Sequence, residues 1–159
     1  MALKQKKRPA RAKKTLPFLE NGDHLDQKTF HARYEAMPPD VRAELIGGIV
    51  YMASPMKPPH GRHSAPIFHW LAEYEHSTPG TEFLPGVTNV LGPESEPEPD
   101  ACLIILPQYG GQTWEDSDGY LSGAPEFVAE VSHATESIDL HAKKPDLTYQ
   151  ARVTPPGVD

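Results

Sequence analysis

Two acidic residues, Asp100 and Glu130, stand where an acid is costly. Asp100 opens the apolar run at 101–106 (ACLIIL), and Glu130 lies within 126–131 (EFVAEV). Both runs predict strands, the first covered on both faces. Alternation puts Glu130 on the same face as Glu126 and Val128. A carboxylate in an apolar strand is unfavourable unless it is paired or coordinates a metal. Two of them on neighbouring strands would offer hard oxygen ligands to Mg²⁺, which takes one or two carboxylates and keeps several waters. Lys143 or Lys144, on a helix beginning near Thr135, could reach back to neutralise charge at a scissile phosphate. The spacing alone is served as well by a solvent-facing Glu130 on an edge strand and an Asp100 that ends a turn.

The elements that would hold these acids can be read from periodicity. Asp26 can cap a helix whose Phe30, Tyr34 and Met37 share one face, with Pro38-Pro39 ending it. Residues 44–53 (ELIGGIVYMA) predict a strand pair turning at Gly47-Gly48. Ile67, Trp70, Leu71 and Tyr74 recur at i, i+3, i+4 and i+7, predicting an amphipathic helix over 64–76 with Trp70 and Tyr74 in the core. Strand-like pieces follow over 81–91, then an acidic, proline-rich loop over 92–99. Residues 109–123 read as a polar connection. Strands and helices mix without regular alternation and without an internal repeat, so the class is α/β or α+β with a mixed sheet.

The chain has 159 residues, enough to bury a core as one domain. Its 18 prolines predict many turns. No run of about 18 apolar residues is present, so no spanning helix and no membrane association are expected. The single cysteine, Cys102, forms no internal disulfide and suits a reducing cytoplasm. Lying within ACLIIL, it is expected to be a buried, inert thiol. The formal charge of −7 divides into +7 from Lys4, Lys6, Lys7, Arg8, Arg11, Lys13 and Lys14 and −14 from the remainder. Residues 1–24 therefore read as a basic flexible leader, and 25–159 as the domain. The leader could contact nucleic acid phosphates or serve as a solubilising extension. The acidic body is unlike a passive DNA-binding module but compatible with carboxylates gathered around a divalent cation.

Four stretches, in order, carry a family resemblance: AELIGGIVYMASP at 43–55, EPD and its apolar strand at 98–106, GAPEFVAEVSHAT at 123–135, and DLHAK at 139–143. Over roughly residues 25–143 the sequence resembles the Uma2 family of restriction-endonuclease-like proteins. The resemblance implies a PD-(D/E)XK-type fold, a mixed central sheet flanked by helices. It implies Asp100 and Glu130 as metal ligands, Glu44 as a further active-site acid, and Lys143 in the catalytic-lysine role. Ser132 stands two residues after Glu130, where many nucleases of this fold carry lysine, so the helix lysine is needed. His60 lies where the family often has a histidine near the site.

Two departures stand out. Gly47 and Ile49 replace the acidic pair of the family's ELIDGE-like hairpin. After Lys143 the chain reads Lys144-Pro145-Asp146 and ends in VTPPGVD. Proline inside a helix costs about 3 kcal/mol relative to alanine. The family pattern is therefore expected to be altered or truncated after about residue 143, leaving the closing strands missing and a sheet edge open.

The expected function is Mg²⁺- or Mn²⁺-dependent endonucleolytic hydrolysis of phosphodiester bonds in DNA, and a homodimer is compatible with it. The alternative is a catalytically degenerate nuclease fold used for binding DNA or a partner protein. A zinc site is not expected, because His60, His63, His69 and His76 have no matching cysteines. Ser132-His133 cannot pair as nucleophile and base, since neighbours on a strand point to opposite faces.

Overall fold

The computed structural model describes residues 16–131. Asp26 caps α1 (Gln27–Tyr34), its Oδ1 accepting the Thr29 N–H at 2.7 Å. β1 (Ala43–Ile46) and β2 (Ile49–Met52) form the expected antiparallel hairpin. Gly47 and Gly48 take φ of 56° and 78°, a left-handed pair that favours glycine and matches the strand twist. Leu19, Phe30, Ala43, Leu45 and Val50 form a core cluster, with Phe30 and Tyr34 stacked at 5.5 Å.

The expected leader boundary at residue 24 moves toward the N-terminus. Leu19 is buried, Gly22 N–H donates to the Val50 carbonyl at 2.8 Å, and His24 bridges Ile49. An apolar side chain and two backbone pairings tie this stretch to β2, so it belongs to the packed body.

α2 (Pro58–Ser77) begins six residues earlier than its periodicity suggested. Prolines are tolerated in a first turn, where their missing N–H would be unpaired anyway. Its docking face runs through Ser64, Ile67, Phe68 and Leu71, with Phe68 against Phe83 at 5.6 Å. Trp70 and Tyr74, expected in the core, lie on the flank of that face and are 54% and 42% exposed.

β3 (Thr81–Pro85), β5 (Ala101–Ile105) and β8 (Phe127–Ala129) form an antiparallel sheet in the order β3-β5-β8. β4 (Asn89–Val90), β7 (Leu121–Ser122) and β6 (Trp114–Glu115) form a second sheet, with β4 and β7 parallel. The α+β class with mixed pairing is as read from sequence, though the strands group into small sheets. β5 is covered as expected, with Ala101, Cys102 and Ile104 buried. β8 is shorter and less buried than a core strand: Phe127 is 40% exposed and Glu130 falls just beyond its end. No helix among the described residues is long and apolar enough to cross a membrane.

Candidate active site

The segment Ser95-Glu96-Pro97-Glu98-Pro99 delivers Asp100 to the start of β5, and its alternation explains how. Pro97 and Pro99 lack N–H donors and hold φ near −65°. The N–H groups of Glu96 and Glu98 are engaged laterally. Glu96 N–H donates to the Leu45 carbonyl at 2.8 Å and Leu45 N–H returns to the Glu96 carbonyl at 3.2 Å. Glu98 N–H donates to Glu44 Oε1 at 2.7 Å. On the other side, Asn89 N–H donates to the Pro97 carbonyl at 2.8 Å. The segment is thus held between β1 and β4. Glu44 enters the site region as the acceptor that fixes Glu98, whose carboxylate pairs with Arg42.

Asp100 is held at both oxygens. His60 Nε2 lies 3.0 Å from Oδ1, and Val131 N–H donates to Oδ2 at 2.7 Å. Both side chains keep about a fifth of their surface, 19% for Asp100 and 21% for His60. His60 is in the first turn of α2, with its N–H donating to the Lys57 carbonyl at 3.0 Å. The ladder between β5 and β8 pairs Ala101 with Ala129, Cys102 with Val128 and Leu103 with Phe127. Continued by one step beyond its last pair, that register would set Asp100 opposite Glu130 on the face that carries Cys102 and Val128. Cross-strand partners of this kind have Cβ atoms about 4.5–5.5 Å apart.

The sequence-predicted residues therefore divide. Asp100 is tied to Val131, one residue beyond Glu130, and Glu44 is tied to the segment two residues before Asp100. Lys143, with Ser132 and His133, lies outside the described residues. Among the described residues no three His, Cys, Asp or Glu side chains are already gathered to hold a cation. The donor chemistry nonetheless suits Mg²⁺ or Mn²⁺: two carboxylates on one face, each oxygen of Asp100 using one donor and retaining a further lone pair. Asp100 and Glu130 are the residues that could hold such an ion.

Cys102 is chemically quiet, as its place in ACLIIL implied. Burial pushes its thiol up to about 12. The site's surroundings also contain groups that sequence reasoning passed over. Glu96 is fully buried, with Oε2 accepting Gln27 Nε2 and Oε1 facing His31 Nδ1, both at 2.8 Å. Burial raises its carboxyl above the ordinary range, against the lowering effect of His31 and Gln27. Glu126 bridges two backbones, accepting Ile105 N–H at 2.8 Å and Gln112 N–H at 3.2 Å. Gln27, His31 and Glu35 recur at i, i+4 and i+8, a polar stripe beside the apolar one and the available signal for this network.

The model of the Uma2 family, described as "Putative restriction endonuclease", matches residues 29–154. The match covers most of the chain and runs to residue 154, past the point near residue 143 where the family pattern is expected to be altered or truncated. No curated protein matches this chain.

Proposed function

Because the chain belongs to the Uma2 family of restriction-endonuclease-like proteins, we propose that it is a metal-dependent endonuclease hydrolysing phosphodiester bonds in DNA. The observation that supports this reading is the β5–β8 register, whose continuation by one step would bring Glu130 opposite Asp100, itself held by His60 and Val131. In this reading Asp100 and Glu130 hold Mg²⁺ or Mn²⁺. Such an ion supplies Lewis acidity toward the phosphate and a more acidic water. His60 and the Val131 N–H orient the Asp100 carboxylate. Glu44 keeps the approach to Asp100 rigid through the Glu98 N–H. Lys143 stabilises negative charge developing at the phosphate.

In this reading the charge balance favours DNA contacts at particular parts of the chain. The body repels a polyanion except where a cation is bound, and the seven basic residues before position 15 provide phosphate contacts whose strength falls with salt. The lone buried thiol suits action in the reducing cytoplasm.

The test is cleavage of supercoiled plasmid by the full chain with Mg²⁺ and with chelator. Mg²⁺-dependent nicking that Glu130→Gln abolishes is the expected result; equal nicking by Glu130→Gln removes the assignment. A second reading, favoured by the Pro145 and VTPPGVD departure in the sequence, is a degenerate nuclease fold that binds DNA or a protein partner. It predicts DNA retention without Mg²⁺-dependent nicking.

A further inference from the structure

Glu96 lies four residues before Asp100 and is outside the chemistry assigned above. Its side chain is fully buried, yet its partners are an amide and an imidazole, Gln27 Nε2 and His31 Nδ1, rather than a lysine or arginine. A buried carboxylate so weakly compensated is a poor way to gain stability, since an apolar residue of similar volume costs less to bury. The geometry suggests what it does instead. Its backbone is paired in both directions with Leu45 of β1, and its carboxylate takes both donors from α1. Gln27 is fixed in turn, its N–H donating to the Pro93 carbonyl at 2.8 Å. His31 meets the Tyr120 ring edge-on at 4.7 Å, and the Tyr120 hydroxyl donates to Glu35, the next member of the α1 stripe. The groups facing Glu96 are therefore Gln27, His31, Tyr34 and Glu35 from α1, Tyr120 from the β6–β7 hairpin, and the neutral Leu45 backbone from β1.

We propose that Glu96 is a positioning residue for Asp100: its buried carboxylate latches α1 to the segment that presents Asp100 to His60. Without the latch, the run from residue 93 to 98 keeps its backbone pairing with β1 and β4 but loses its side-chain tie to α1. Its downstream end can then shift relative to α2, and the His60–Asp100 contact loosens. The inference rests on the Asp100 geometry and not on the proposed hydrolysis.

The test is a long-range ¹H–¹⁵N spectrum of the histidine rings in the full chain at one fixed pH, with Asp100→Ala marking a His60 that has lost its partner. Glu96→Ala is expected to move the His60 signals to the Asp100→Ala positions. Glu96→Gln is expected to leave them in place, because either a rotated Gln27 amide or the other His31 tautomer, one of the two, keeps both hydrogen bonds. Should Glu96→Ala not fold, Gln27→Ala removes one donor and is expected to shift the His60 signals part of the way. Unchanged His60 signals in a folded Glu96→Ala, or in Gln27→Ala where Glu96→Ala does not fold, would overturn the proposal. So would an equal loss in Glu96→Gln and Glu96→Ala. A wild-type chain without nuclease activity removes the functional reading and leaves this test intact.

Discussion

Replacing Asp100 by asparagine separates the fold of the site from its chemistry. Asp100 accepts Val131 N–H at 2.7 Å and contacts His60 Nε2 at 3.0 Å. Alanine removes both acceptors and leaves the Val131 N–H unpaired. Hydrogen bonds to charged groups contribute about 1.5–3 kcal/mol each, toward the lower end where the groups are partly exposed. We therefore expect Asp100→Ala to lose about 3–4 kcal/mol. Asparagine keeps one oxygen for Val131, and its amide can donate to His60 in the tautomer that carries its proton on Nδ1. Only the charge assistance is lost, about 1 kcal/mol, or roughly 2–4 °C in Tm for a chain of this size. The anionic ligand is lost all the same, so Mg²⁺-dependent nicking should fall by at least about a hundredfold. Thermal melts and a plasmid-nicking time course at saturating Mg²⁺ read the two effects. Wild-type nicking by Asp100→Asn would refute the ligand role. Equal destabilisation by asparagine and alanine would refute the hydrogen-bond reasoning.

Other outcomes follow from the same geometry. Burial raises the Glu96 carboxyl, so its cost to folding is absent below the ordinary value of 4.5 and grows as pH rises through the folded value. Glu96→Gln should therefore gain Tm over wild type as pH rises from 4.5 through the folded value and hold that gain beyond it, and a pH-independent or falling difference between the melts would contradict this. Asp116 is shifted the other way, lowered chiefly by the Tyr120 N–H and further by the Asp118 N–H, each 3.0 Å from Oδ1. Its stabilisation is present above 3.8 and lost as pH falls through the lower folded value, so Asp116→Asn should flatten the acid limb of the stability curve below 3.8. If acid titration of the two proteins gives parallel curves, the turn does not depend on that charge. A Cβ at Gly111 would sit 1.6 Å from the Ile105 carbonyl oxygen. Gly111→Ala must displace backbone at the end of β5 and should cost about 1–3 kcal/mol or more in urea unfolding; wild-type stability would mean the approach is looser than described.

The parts of the molecule that the sequence disclosed are those governed by neighbours in the chain. The β1–β2 hairpin follows from alternation and two glycines that accept positive φ, and α1 from Asp26 and its apolar stripe. The α2 periodicity was visible, but the choice of face was not, because Trp70 and Tyr74 repeat at the same spacing as the docking residues. EFVAEV was legible as a strand but too long. Glu126 is drawn to the Ile105 and Gln112 N–H groups and the ladder ends at Ala129, so Glu130 sits at the strand's mouth. Asp100 and Glu44 could be singled out as acids but not as hydrogen-bonded parts of one segment. The Glu96 network was hidden for a different reason: its partners are 65 and 69 positions away, and nothing local marks a glutamate among prolines as buried.

The account depends on Asp100 and Glu130 sharing one hard cation. Calorimetric titration of the metal-stripped full chain with Mn²⁺, in parallel with Asp100→Asn and Glu130→Gln, measures this without requiring a DNA target. One saturable site in the wild type, lost in either variant while both remain folded, is the predicted result. No saturable binding in the wild type, or binding undiminished in both variants, would contradict it.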